Sequence, residues 1–182
     1  MKARLLERRR PPATPPPAAW SRRLNGLVAR AGHAQWSINI ALVDDEEMAA
    51  VNRDWRGKDE PTDVLSFSYL EAEGTGRPDL AAGELGAARG LWRGPAGGEP
   101  ETLAGEIILA PGWIDARCAA HGWDREAEWA LLVVHGMLHV LGWQHGDERS
   151  AAEMRSQEAE LLRADGVEHP LLGGGGAAAE GE

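Results

Sequence analysis

The chain has 182 residues and 43% hydrophobic content, enough for one buried core, and its length favours a single domain. The lone cysteine, Cys118, rules out an internal disulfide, and no apolar run is long enough to cross a bilayer, so a soluble, cytoplasmic protein is expected. The formal charge of −10 is unevenly spread: residues 1–30 carry eight Lys/Arg against Glu7 alone, and the acidic remainder speaks against a broad electrostatic footprint for nucleic acid.

In chain order, residues 1–17 are rich in Arg and Pro and are expected to form a flexible arm. A domain over 18–170 follows. Trp20, Leu24, Leu27 and Val28 make one apolar helical face ended by Gly32. Ile38, Ile40 and Leu42 alternate with Asn39 and Ala41 as a strand with one more polar face. Asp44 or Asp45 can cap a helix carrying Met48, Val51 and Trp55, closed by Gly57. After a charged turn from Arg56 to Asp63, Val64 to Tyr69 read as a strand that returns beside the first through a right-handed crossover. Residues 71–102, dominated by Gly, Ala, Pro and Glu, are expected to be a mobile insertion, with one helical turn near Leu80 to Leu85. Gly105 to Leu109 resume as a strand, and Pro111 opens a helix through Cys118 that Gly122 ends. Asp124 can cap the central helix from Arg125 to Leu141. Glu148 to Ala164 form a last amphipathic helix with Met154, Leu161 and Leu162 on one face, and residues 171–182 are a low-complexity tail expected to be disordered.

The chemistry concentrates in the central helix and the turn after it. His135, His139 and His145 are three of the chain's six histidines and fall at i, i+4 and i+10 in an apolar run. A four-residue helical step rotates by roughly 40° and rises about 6 Å, so the first two imidazoles share a face and can grip one ion. Gly142 stands where a helix takes a left-handed residue, and it can swing His145 back towards them. Three imidazoles with a fourth position left open form the catalytic rather than the structural pattern for zinc, although such sites also take nickel, copper and iron. His33, His121 and His169 are read as hydrogen-bonded core histidines.

The same spacing occurs in metzincin peptidases, whose first histidine is followed by a glutamate base. Here that residue is Gly136, which has no proton acceptor, so the peptidase mechanism lacks its base although the cradle is intact. Arg56 and Lys58 are the candidates for holding a negatively charged substrate group, Arg56 as a fork on phosphate oxygens and Lys58 as a point charge. Against this stands the plainer reading that Arg56 pairs with Asp59 or Asp63. Glu106 is either a hydrogen-bond acceptor behind a ligand histidine or an ordinary edge carboxylate.

The run from His135 to His145 resembles the His-Gly-x-Leu-His-Leu-x-Gly-Tyr-Asp-His signature of the YbeY family, bacterial endoribonucleases implicated in ribosomal RNA maturation. Arg56-Gly57-Lys58-Asp59-Glu60-Pro61-Thr62-Asp63-Val64-Leu65-Ser66-Phe67 is similar to the family's other hallmark, and Gly105-Glu106-Ile107 stands where the family has Gly-Asp-Ile. The resemblance covers about Ile38 to Pro170. It implies a compact α+β fold with a small mixed sheet and a central metal-binding helix. It further implies one zinc ion on His135, His139 and His145 and a phosphate-binding role for Arg56; with the reading of the residues above, Arg56 and His135 are the expected catalytic residues and Arg56 and Lys58 the expected substrate-binding ones. The implied activity is metal-dependent cleavage of single-stranded RNA, in 3′-end maturation of small-subunit ribosomal RNA and ribosome quality control. The implied partners are ribosomal RNA and the small subunit, with no membrane and no DNA. Gln144 replaces the family's Asp, Trp143 its Tyr and Glu106 its Asp; an amide cannot take up a proton, and Asp147 is close enough in sequence to supply the missing carboxylate. The alternatives are a non-enzymatic ribosome-assembly factor with a structural zinc, and a zinc peptidase disfavoured by Gly136.

Overall fold

The computed structural model describes residues 2–6, 13–18, 20–31, 36–70 and 102–172. Four strands form one mixed sheet: β1 (Lys2–Leu6), β2 (Trp36–Leu42), β3 (Val64–Ser68) and β4 (Thr102–Leu109), in the spatial order β1-β2-β4-β3. The first three in that order run parallel, and β3 pairs antiparallel with β4. Among the described residues five helices accompany the sheet: α1 (Trp20–Ala31), α2 (Asp45–Arg56), α3 (Pro111–His121), α4 (Arg125–Val140) and α5 (Glu148–Ala164). This is the α+β architecture with a small mixed sheet that the sequence implies.

Local chemistry fixes the helix ends. Asp44, not Asp45, caps α2 by accepting from the Glu47 N–H at 2.9 Å, and Gly57 closes it at φ 72° with its N–H on the Arg53 carbonyl. Asp124 caps α4 by accepting from the Ala127 N–H at 2.8 Å. On α1 the expected face of Trp20, Leu24, Leu27 and Val28 is buried to the last residue. It joins Ile38, Ile40, Ile107, Leu109 and most of α4 in the main core, where Trp20 meets Trp129 edge to face at 4.8 Å. Ala41, Ile108, Leu65 and Met48 form a second cluster on the opposite face of the sheet.

Three expectations change. Lys2–Leu6, read as part of a flexible arm, form edge strand β1 on β2, and Pro17 is buried with its carbonyl accepting from the Trp20 N–H. Charge and proline hid this short edge strand, of which Ala3 packs against the core and Leu5 is exposed. β3 does not lie beside β2: β1 and β4 occupy both its edges, which leaves β3 the outer side of β4. Asn39, expected on a more polar face, is buried like its neighbours, because both faces of β2 are covered. The expectations for residues 71–101, 173–182 and His33 lie outside the described residues.

Close backbone approach seats α4 on the sheet. A Cβ built at Gly105 would lie 2.3 Å from the Phe67 carbonyl oxygen and 2.7 Å from Val140 Cγ1, and one at Gly136 would lie 3.1–3.2 Å from Ile107. Ser68 Oγ donates to the Val140 carbonyl at 2.8 Å, so the last turn of α4 is also tied to the end of β3. The helix touches β3, β4, α1, α3 and α5, which is why its residues from Glu128 to Val134 are all buried.

Candidate metal centre

The histidine trio lies where α4 runs out of core. His135 and His139 are half-buried on its last turns, and Gly142, at φ 95°, sends the chain back so that His145 reaches them from an exposed loop. The Nε2 atoms of His135 and His139 are 3.1 Å apart, as are those of His139 and His145. One ligand atom from each of the three falls within 4.8 Å of the others. The left-handed glycine is the element that converts an i, i+4 pair into a three-sided cage.

The other ring nitrogens reveal what the cage can hold. His135 Nδ1 faces Glu158 Oε1 at 2.8 Å, and His139 Nδ1 faces the Trp143 carbonyl at 3.0 Å. Burial pushes the Glu158 carboxyl up, but hydrogen bonds from His135 and His169 outweigh it and hold the group at about 2, so it is an ionised acceptor. Both acceptors therefore draw a proton of their histidine to Nδ1, and in the neutral rings that a metal needs each Nε2 is left to present a lone pair. Two lone pairs facing each other at 3.1 Å repel unless a cation lies between them. A tetrahedral zinc with Zn–N of about 2.0–2.1 Å sets neighbouring nitrogens roughly 3.3 Å apart, close to the 3.1 Å that separates His139 Nε2 from each of the other two. Burial, followed by the neighbouring His135, lowers His139 to about 4 and keeps it neutral, as a ligand must be.

Gly136 lies on the side of α4 that meets Ile107. A glutamate there would point into the sheet, so the peptidase base is absent in direction as well as in identity. Arg56, at the end of α2, and Lys58, just beyond it, are exposed. The carboxylates weighed as plain partners for Arg56 are taken by other cations: Asp59 by Arg53 at 2.7 Å and Asp63 by Arg117. Among the described residues neither Arg56 nor Lys58 makes an ion pair, and neither takes part in the trio's hydrogen bonds.

Glu106 is not behind a ligand histidine. Ile107 faces α4, so by strand alternation Glu106 points through the other face, where it is buried and accepts from the Tyr69 hydroxyl at 3.1 Å. Asp147 does not replace the missing carboxylate either: it caps α5 by accepting from the Ser150 N–H at 2.8 Å, and the hydrogen bonds from Ser150 lower its pKa. Gln144 is exposed without a hydrogen-bond partner among the described residues. His169 is a buried, hydrogen-bonded histidine as expected, whereas His121 is exposed and stacks on Trp123 at 4.6 Å. The carboxylate that does serve the trio, Glu158, had one sequence signal: it interrupts the apolar stripe of α5 midway between Met154 and Leu162.

The family model described as Endoribonuclease YbeY matches residues 19–165. The chain is 38% identical over 133 residues to an Endoribonuclease YbeY of Paramagnetospirillum magneticum, covering 73% of this chain and 70% of that protein. It is 35% identical over 138 residues to the one of Methylococcus capsulatus, covering 76% and 75%. It is 37% identical over 131 residues to the one of Symbiobacterium thermophilum, covering 72% of each. The solution structure of TM1509 from Thermotoga maritima matches with a TM-score of 0.48 at 21% identity, covering 90% of this chain and 91% of that one.

Proposed function

The chain belongs to the endoribonuclease YbeY family, a family of hydrolases acting on RNA, and from that membership we propose that RNA is cleaved at the histidine trio. The observation that carries this reading is the pair of Nε2 lone pairs converging at 3.1 Å, which calls for a cation. His135, His139 and His145 hold one zinc ion. When bound, the ion supplies Lewis acidity for activating water and for charge building up on a phosphodiester.

The chain's own groups do the rest. Glu158 and the Trp143 carbonyl keep the Nδ1 protons of His135 and His139 in place, so both rings present Nε2 to the ion without rotating. Arg56, with no carboxylate neutralising it among the described residues, is available to fork onto phosphate oxygens and stabilise the growing charge in the transition state. Lys58 binds the neighbouring backbone as a point charge. Gly136 leaves no base for peptide hydrolysis. No helix among the described residues is long and apolar enough to cross a membrane. The substrate in this reading is single-stranded RNA at the 3′ end of small-subunit ribosomal RNA, met on the small subunit in the cytoplasm.

Purified protein is expected to cut single-stranded RNA, and both His135→Ala and Arg56→Ala are expected to bring cleavage to background. Cleavage surviving in both variants would overturn the assignment, and it would also expose a contaminating nuclease. Background cleavage by the wild type, with zinc raising its Tm, would instead make the metal structural and the protein an assembly factor.

A further inference from the structure

Behind the trio runs a chain of hydrogen bonds that begins outside it. Gly166, at φ 73°, and the bond from the Val167 N–H to the Leu162 carbonyl turn the chain back after α5. The turn sets His169 over Glu158. The Leu171 N–H donates to His169 Nδ1 at 3.2 Å, which makes that nitrogen the acceptor and leaves the proton on Nε2. His169 Nε2–H in turn donates to Glu158 Oε2 at 3.2 Å, and the other carboxylate oxygen accepts from His135 Nδ1–H at 2.8 Å. Every link in this relay has one proton and one direction.

The arrangement is costly unless it serves the site. Glu158 and His169 are only 4% and 5% exposed, and among the described residues no Lys or Arg pairs with the carboxylate. A leucine in place of Glu158, between Met154 and Leu162, would bury apolar surface without desolvating a charge. A carboxylate kept there by two histidines, one of them at the trio, is explained by what it does to that ring. We propose that Glu158, itself oriented by His169, is a positioning residue that fixes the Nδ1–H tautomer of His135 and thereby tightens the trio's hold on its ion. The inference rests on the metal reading above. It assigns a task to the segment after α5, which reaches His135 through Glu158.

The test uses the full chain stripped of metal, with Zn2+ affinity read by competition against a chromophoric chelator and the metal-free Tm read alongside. Glu158→Gln keeps the shape but can accept from only one of the two histidines, so Kd is expected to rise about 10- to 100-fold. His169→Leu is expected to weaken binding less, and to add nothing in the Glu158→Gln background, because it acts only through Glu158. A Kd for Glu158→Gln within twofold of wild type, or a His169→Leu effect that adds in full, would overturn the proposal. So would a lowered metal-free Tm with an unchanged Kd, the signature of a purely structural group. Should Glu158→Gln fail to fold, imidazole nitrogen NMR of the zinc-loaded wild type decides: His135 protonated on Nδ1 and His169 on Nε2 supports the relay, and the reverse tautomer at His135 sinks it. A wild type that takes up no zinc would instead sink the metal reading itself.

Discussion

His135 and His139 share a cage with His145, yet the two parts of that cage are built differently. The helix-borne pair is half-buried, and each ring is turned by an acceptor at its back, a carboxylate at 2.8 Å or a carbonyl at 3.0 Å. His145 stands on an exposed loop, its back nitrogen has no partner among the described residues, and its neighbours Gln144 and Asp147 do not supply one. Two ligands are thus oriented before an ion arrives, while the third is held by little besides the turn at Gly142. The helix-borne pair is therefore the pre-set part of the site, and the exposed loop completes it.

The largest effect is expected from removing a pre-set ligand. His139→Ala should weaken Zn2+ binding beyond the roughly 100-fold ceiling of changes behind a ligand, with cleavage of single-stranded RNA at background. His145→Ala should retain measurable affinity from the remaining pair. Equal losses in a chelator competition would erase the distinction between helix and loop.

The helix half also depends on backbone contact. Gly105→Ala places a methyl 2.3 Å from the Phe67 carbonyl and 2.7 Å from Val140, next to His139, and should cost about 1–3 kcal/mol with a Tm several degrees lower. Gly136→Ala approaches the Ile107 side chain at 3.1–3.2 Å, a milder encounter than the 2.3 Å to backbone at Gly105, and should cost less. Thermal melts of the metal-free proteins that reverse this order would show α4 seated otherwise.

Acidification should distinguish burial from exposure. Burial and His135 lower His139 to about 4, below the unfolded value near 6.5, so between these values the unfolded chain binds more protons. Stability of the metal-free protein should therefore fall as pH drops from about 6.5 to 4, and flatten for this group below that. Melts of His139→Gln should lose that slope; an unchanged slope would contradict the burial argument. The smallest effect is expected at the loop. Gln144→Asp, adding a carboxylate beside the unsupported ligand, should tighten Zn2+ binding by up to about tenfold, and no change would show that residue 144 does not turn towards His145.

Much of this comparison was legible in the sequence because it is local. Histidine spacing, the Asp124 cap and the left-handed Gly142 all act within a few residues, and together they place the trio on one helix and one turn. What spacing could not carry was long-range. Glu158 lies 23 residues beyond its histidine, and a lone charge in an apolar stripe does not name its partner. Glu106 is near the site in sequence logic but on the wrong face, since strand alternation fixes two faces without saying which one meets α4. The same limit put β3 beside β2: alternation marks a strand, whereas its neighbour is decided by competition among edges, and β1 had been hidden in a basic, proline-rich stretch.

The most direct measurement is a stepwise titration of the metal-free chain with Zn2+, following bound metal and single-stranded RNA cleavage in the same sample. One ion per chain is expected, with cleavage rising in proportion to occupancy and neither response in His139→Ala. Full occupancy without cleavage, or cleavage that persists in excess chelator, would contradict a catalytic metal at the histidine trio.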